Sequence, residues 1–198
     1  LLIPKAFLGP IPSPIEYTDF FQSADAMGFH SLWTTERILH KVNILDSVTA
    51  LTWAAAVTQR IKLGSAVLLS TFRHPLVLAR TVAGLDYVSN GRFILGLSLG
   101  GHPEELDAMD MTVKGRPAKF EETIALLRKL WAEEEIDFKG QHLAMERVTV
   151  APRPSLGGRR PILLGGAVEP VLRRAATIAD GTSFATSKAN VGPDKVAK

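Results

Sequence analysis

The chain has 198 residues, 46% of them hydrophobic and 22% charged, the composition of one folded domain with its own core rather than of a disordered segment. Its formal net charge of +3 is scattered, with no long Lys/Arg run, so neither nucleic acid nor a membrane surface is an expected partner. The lack of cysteine excludes disulfides, thiolate catalysis and Cys-based metal sites, and no apolar run approaches the ~20 residues of a membrane helix.

The elements alternate. Ile3 to Leu8 is a short apolar run that reads as a strand and ends at Gly9-Pro10. Phe20, Phe21, Ala24 and Met27 recur at helical spacing, and Gly28 stands where a helix-terminating glycine belongs. Ser31 to Thr35 is the second strand, and Asp46 is an N-cap for a helix with Val48, Leu51 and Ala55 on one face. Ile61 to Leu69 is nearly continuous and apolar, as in a strand buried on both faces. Leu78, Val82 and Leu85 mark the next helix, which opens at His74-Pro75 and closes at Ser89-Asn90-Gly91. Phe93 to Leu99 is the fourth strand, and Phe120, Ile124, Leu127 and Trp131 line a long helix. An irregular insertion at about 137–160 follows. Pro161 to Leu164 is the fifth strand, Val171, Ala175 and Ile178 mark its helix, and Thr182 to Ala185 is the sixth strand. The result is a single α/β domain, 1–198, with about six βα units. Alternation alone leaves a doubly wound sheet and a closed (β/α) barrel both open, and a barrel needs about eight units.

In either architecture the site lies at the carboxyl ends of the strands. That selects Thr34-Thr35-Glu36-Arg37, Ala66 to Arg73, the Ser98 to His102 segment, Gly165-Gly166-Ala167, and Thr186-Ser187-Lys188. Gly165 and Gly166 let backbone N–H groups approach an anion at a helix start, and Thr186, Ser187 and Lys188 add hydroxyls and a cation, a set that suits a phosphate; a tight turn and a solvated tail are the bland alternatives. Ser98, Gly100 and Gly101 form a glycine-rich strand end without the spacing of a dinucleotide fingerprint. Glu36 and His102 are the candidates for an acid or base, with an ion pair to Arg37 or another rim residue as the alternative for Glu36. Arg73 pairs either with an anionic cofactor tail or with a carboxylate. Glu104-Glu105 read as solvated helix charges, and no histidine has metal-ligand spacing, so no metal is expected.

Several spaced stretches resemble the luciferase-like monooxygenase superfamily. They are Met27-Gly28-Phe29-His30-Ser31-Leu32-Trp33 with Thr35-Glu36, Ala54 through Val67, Arg73-His74-Pro75, Ser89-Asn90-Gly91-Arg92-Phe93, Pro103-Glu104-Glu105, Leu127 to Trp131, Phe138-Lys139-Gly140 and Ala179-Asp180-Gly181. Thr71-Phe72-Arg73 and the Pro-Glu-Glu segment are closer to the F420-dependent branch. The resemblance implies a TIM-type barrel, incomplete in this chain with about six of eight units. It implies an FMN or F420 ring across the strand ends, over a cis peptide at Ala66–Val67, meeting Glu36 and the Ser98 to Gly101 loop. The phosphate would meet Gly165, Gly166, Thr186, Ser187 and Lys188. Two positions depart from the branch's sugar dehydrogenases: Gly101 stands where they carry an acid, and Glu36-Arg37 where they carry Asp-His. The expected activity is hydride transfer or monooxygenation on a small molecule by a cytoplasmic homodimer. The alternative is a flavin-binding or structural relative with a truncated barrel and no turnover.

Overall fold

A computed structural model of the chain describes residues 1–100 and 102–183. The elements in order are β1 (Ala6–Phe7), α1 (Pro14–Ala26), β2 (Ser31–Thr34), β3 (Asn43–Ile44), α2 (Ser47–Val57), β4 (Lys62–Ser65), β5 (Leu68–Leu69), α3 (Pro75–Val88), β6 (Phe93–Ser98), α4 (Pro103–Ala108), α5 (Arg116–Ala132), β7 (Ile136–Lys139), β8 (Ala144–Val148), β9 (Ile162–Gly165), α6 (Glu169–Ile178) and β10 (Gly181–Ser183). A 3₁₀ turn, Ser70–Phe72, follows β5.

One parallel sheet carries the fold, in the order β2-β4-β6-β9-β10, with β5 continuing β4 beside β6. Leu2 forms a parallel bridge to Trp33 on the free side of β2. The strands therefore stand side by side in sequence order, with no reversal. A doubly wound sheet reverses at a switch point; a barrel wall does not. This order decides between the two architectures: the chain forms an α/β barrel wall that is incomplete among the described residues.

Two expected strands are divided. Only Leu1 to Ile3 joins the wall, through Ile3 N–H to Trp33 O and Trp33 N–H to Leu1 O, both 2.8 Å. Beyond Ile3 the chain leaves the wall, and Ala6–Phe7 instead pairs antiparallel with Asn43–Ile44. The run Ile61 to Leu69 breaks at Ala66–Val67, whose peptide bond is cis. The stretch after α5 holds an antiparallel hairpin, β7 with β8.

Alternation along the strands builds the core. Leu32, Leu63, Leu95, Leu97, Ile162 and Leu164 are fully buried and pack with Phe21, Leu51, Leu78, Val82, Ile124, Leu127 and Trp131 from the helices. Each such side chain contributes about 1.5–3 kcal/mol of burial. Their neighbours in sequence, Trp33, Ile94, Ser98 and Leu163, are half-buried and belong to the opposite face.

Local chemistry fixes the helix ends. Ser13 and Glu16 form a reciprocal capping box on α1, Asp46 accepts from Thr49 N–H at 2.8 Å, and the His74 ring accepts from Leu76 N–H ahead of Pro75. Asn90 and Gly91 take the left-handed conformations of a tight turn. That turn sends Arg92 back to the C-terminus of α2, where it donates to the carbonyls of Ala55, Thr58 and Ile61.

Beneath the strands, at their amino ends, Arg160 and Asp86 form an ion pair, each side chain only 2% exposed. Arg160 also donates to Phe93 O at 2.6 Å, and Asp86 accepts from Ser155 N–H at 2.5 Å. Burial lowers the Arg160 pKa to about 10.

Asp25 holds the α2–β4 turn. Burial works against its carboxylate, but N–H donors from Gln59, Ile61 and Arg60 outweigh it and keep its pKa below the ordinary value. Glu122 is held down in the same way by the backbone of residues 141–143, and Asp180 by Ile162 N–H and Arg128. A depressed carboxylate contributes stability above its unfolded pKa and loses it as pH falls through the folded value. Urea midpoints are therefore expected to be level near neutrality and to fall below about pH 4, with a shallower acid slope in Asp25→Asn; an unchanged slope in that variant would contradict this account.

Candidate active site

At the carboxyl ends of the strands lies a cavity of about 400 Å³, lined by residues that include Glu36, Ser98, Gly100, His102 and Gly165. Sequence reasoning selected those five, and the fold brings them together from β2, β6 and β9. Leu69, from the selected segment Ala66 to Arg73, shares the lining, as do Phe120, Val171 and Arg174, which sequence reasoning had not selected. Gly101, Thr186, Ser187 and Lys188 lie outside the described residues.

Glu36 is not a free acid. Its side chain is 2% exposed, and both its oxygens are engaged. Arg73 donates to each of them at 2.6 Å, and Leu69 N–H donates to Oε2 at 2.6 Å. The carboxylate thus ties the end of β2 to β5 and to the turn that follows. Arg37, the partner weighed from sequence, turns away to Glu104 and to Leu39 O. Glu105, expected to be solvated, is fully buried: its Oε1 accepts from Ile38 and Leu39 N–H and fixes the loop after β2.

Lys5 is a second unforeseen buried charge. Its Nζ donates to Ser47 Oγ at 2.9 Å, and that hydroxyl donates to Thr35 O at 2.7 Å, steadying the residue before Glu36. Burial pushes the Lys5 amine down, while Glu36 and Asp46 pull it up.

The glycine-rich strand end is pinned from the side. Ser70 Oγ donates to Ser98 O at 3.1 Å, Thr71 Oγ1 donates to Leu99 O, and Gly100 N–H donates to Ser98 Oγ at 3.2 Å. Gly100 has φ +72°, a conformation that glycine adopts without penalty. His102 is exposed at the start of α4 and makes no side-chain capping bond.

Val67 explains Gly165 more directly than an anion does. A Cβ on Gly165 would stand 2.4 Å from Val67 Cγ1, so the side chain beside the cis peptide occupies the space that the glycine leaves. Gly166 has φ +141° and packs against Val171. Just beyond, Val168 at the start of α6 offers no side-chain cap; Pro170 has no N–H and Val171 N–H returns to Val168 O, which leaves the Glu169 amide of the first turn for an external acceptor. Glu169 in that turn is engaged by Arg173.

Among the described residues no helix is long and apolar enough to cross a membrane, and no group of three or more His, Asp or Glu side chains could hold a metal ion.

Residues 5–192 match the protein family described as luciferase-like monooxygenase. The F420-dependent glucose-6-phosphate dehydrogenase of Amycolatopsis mediterranei (strain U-32) is 31% identical over 178 residues, 85% of this chain and 52% of that protein. The crystal structure of monooxygenase RslO1 from Streptomyces bottropensis superposes with a TM-score of 0.74 at 34% identity, covering 82% of this chain and 50% of that one. The oxygenating constituent of 3,6-diketocamphane monooxygenase from Pseudomonas putida, solved with FMN, shares the fold with a TM-score of 0.72 at 22% identity, over 88% and 53% of the two chains. The chain spans about half the length of the curated relatives it matches. With the order of the strands and a family match over almost its whole length, the chain belongs to the luciferase-like monooxygenase family.

Proposed function

We propose that this chain forms the cofactor-binding part of an oxidoreductase that carries out hydride transfer or monooxygenation on a small molecule, with F420 or FMN at the strand ends. The observation that carries the reading is the cavity itself: Leu69, Ser98, Gly100 and Gly165 converge on it from separate strands, and its volume of about 400 Å³ is in the range of small-molecule sites. The name of the 31%-identical relative favours F420.

The residues present fit such a group. Leu69, Ser98 and Gly100 would border it, Val67 would stand behind Gly165, and the Glu169 amide at the uncapped start of α6 would be left for a phosphate. Thr186, Ser187 and Lys188, next in the chain, would add donors. The bound ring supplies the redox chemistry. His102, the exposed imidazole at the rim, is the proposed proton donor or acceptor. Glu36, with both oxygens engaged, is a positioning residue.

Titration with F420 and with FMN, followed by their absorbance and fluorescence, tests this. Micromolar binding of F420 with weaker FMN binding is expected. Tight FMN binding without F420 would move the assignment to an FMN monooxygenase. Failure of both to bind a folded sample would remove the reading.

A further inference from the structure

A second cavity, of about 270 Å³, opens between the 3₁₀ turn after β5, the start of α5 and the turn joining β7 to β8. Lys114, Arg116, Lys119 and His142 line it. None of the four appears in an ion pair among the described residues. Arg73 lines it too, but its charge is matched by Glu36. The nearby acid, Glu122, has its oxygens taken up by the backbone N–H groups of Gln141, His142 and Leu143.

Arg116 is the telling residue. Its Nε and Nη1 are closed off from solvent and have no acceptor. A guanidinium keeps its charge at any working pH, and enclosed donors without a partner are rare in folded proteins. A partner that accepts from both nitrogens and matches the charge is a phosphate or carboxylate group. The long helix α5 begins at this point, so its first-turn amides add to the same potential. Phe120 lines both this cavity and the strand-end cavity, so the two adjoin.

We propose that this cavity is a second anion subsite, which takes a phosphate or carboxylate carried by the tail of the cofactor or by the substrate. The source of that oxyanion rests on the cofactor reading above; the subsite does not.

Inorganic phosphate, added without cofactor, is the probe, and the His142 ring resonances in the proton NMR spectrum, assigned with His142→Asn, are the reporter. Saturable shifts at millimolar phosphate are expected, weakened about tenfold in Arg116→Gln and clearly weakened in Lys119→Gln, which replaces an exposed side chain and carries the test if Arg116→Gln does not fold. Arg147→Gln, outside the cavity, should titrate like the parent. Absence of a His142 shift, or equal affinity in the folded cavity variants, overturns the proposal. F420 that displaces phosphate from His142 identifies the cofactor tail as the source. F420 that binds and leaves the phosphate titration unchanged identifies the substrate. F420 that does not bind at all counts against the cofactor reading, while the phosphate result stands by itself.

Discussion

Replacing Asp86 with alanine is expected to lower the stability of the protein by about 3–5 kcal/mol, the range for removing one partner of a buried ion pair. The reason is what remains behind. Arg160 is 2% exposed and would keep a full charge with only the Phe93 carbonyl beside it, while Ser155 N–H would lose its acceptor. A carbonyl dipole does not replace a carboxylate in a low-dielectric setting. Because the pair joins α3 to the entry of β9 and touches the first residue of β6, its loss loosens the wall at its foot, away from the candidate site. Urea unfolding measures the change. The double variant Asp86→Leu with Arg160→Met, which removes both charges together, should lose clearly less than either single change. A loss below about 1 kcal/mol in Asp86→Ala would mean that the pair is not enclosed as described.

Glu36→Gln is expected to weaken cofactor binding by about tenfold and to leave the pH profile of the remaining turnover unchanged. Glutamine keeps an acceptor for Leu69 N–H but gives up the charge that fixes both arms of Arg73. The consequence would be felt by the Ala66 to Leu69 segment behind the proposed ring position, so binding should suffer before chemistry does. Glu36→Ala, which also leaves Arg73 without its partner, should cost about 3 kcal/mol of stability in addition. Unaltered binding with a flattened pH profile in Glu36→Gln would return the residue to the role of proton donor that its place at a strand end first suggested.

That reversal shows where the sequence was legible. Features written in short-range chemistry could be read: Asp46 and His74-Pro75 start helices, Asn90-Gly91 makes a turn, and the apolar runs alternate as strands and helices do. The rim residues were found because the ends of parallel strands must meet. The choice of partner across the fold was not legible. Nothing near Glu36 in sequence marks Arg73, 37 residues on, as a better partner than the adjacent Arg37. Glu104 and Glu105 are neighbours of one type, yet one is exposed and the other fully buried, because only one faces the Ile38-Leu39 backbone. Lys5 and Arg116 were passed over for the same reason: a charge becomes unusual only when the fold encloses it.

The meeting of Val67 with Gly165 has a consequence for how relatives of this chain can diverge. A Cβ on Gly165 would need the space held by Val67 Cγ1, 2.4 Å away, whereas a Cβ on Gly96 would stand 2.2 Å from Ser65 O, a backbone atom that no change of side chain removes. Position 165 can therefore gain a side chain only after position 67 has given up volume, while position 96 stays closed whatever stands at 67. Mutational tolerance at this rim is thus conditional at one glycine and absent at the other, and at the first the order in which substitutions arise decides which ones a lineage can keep.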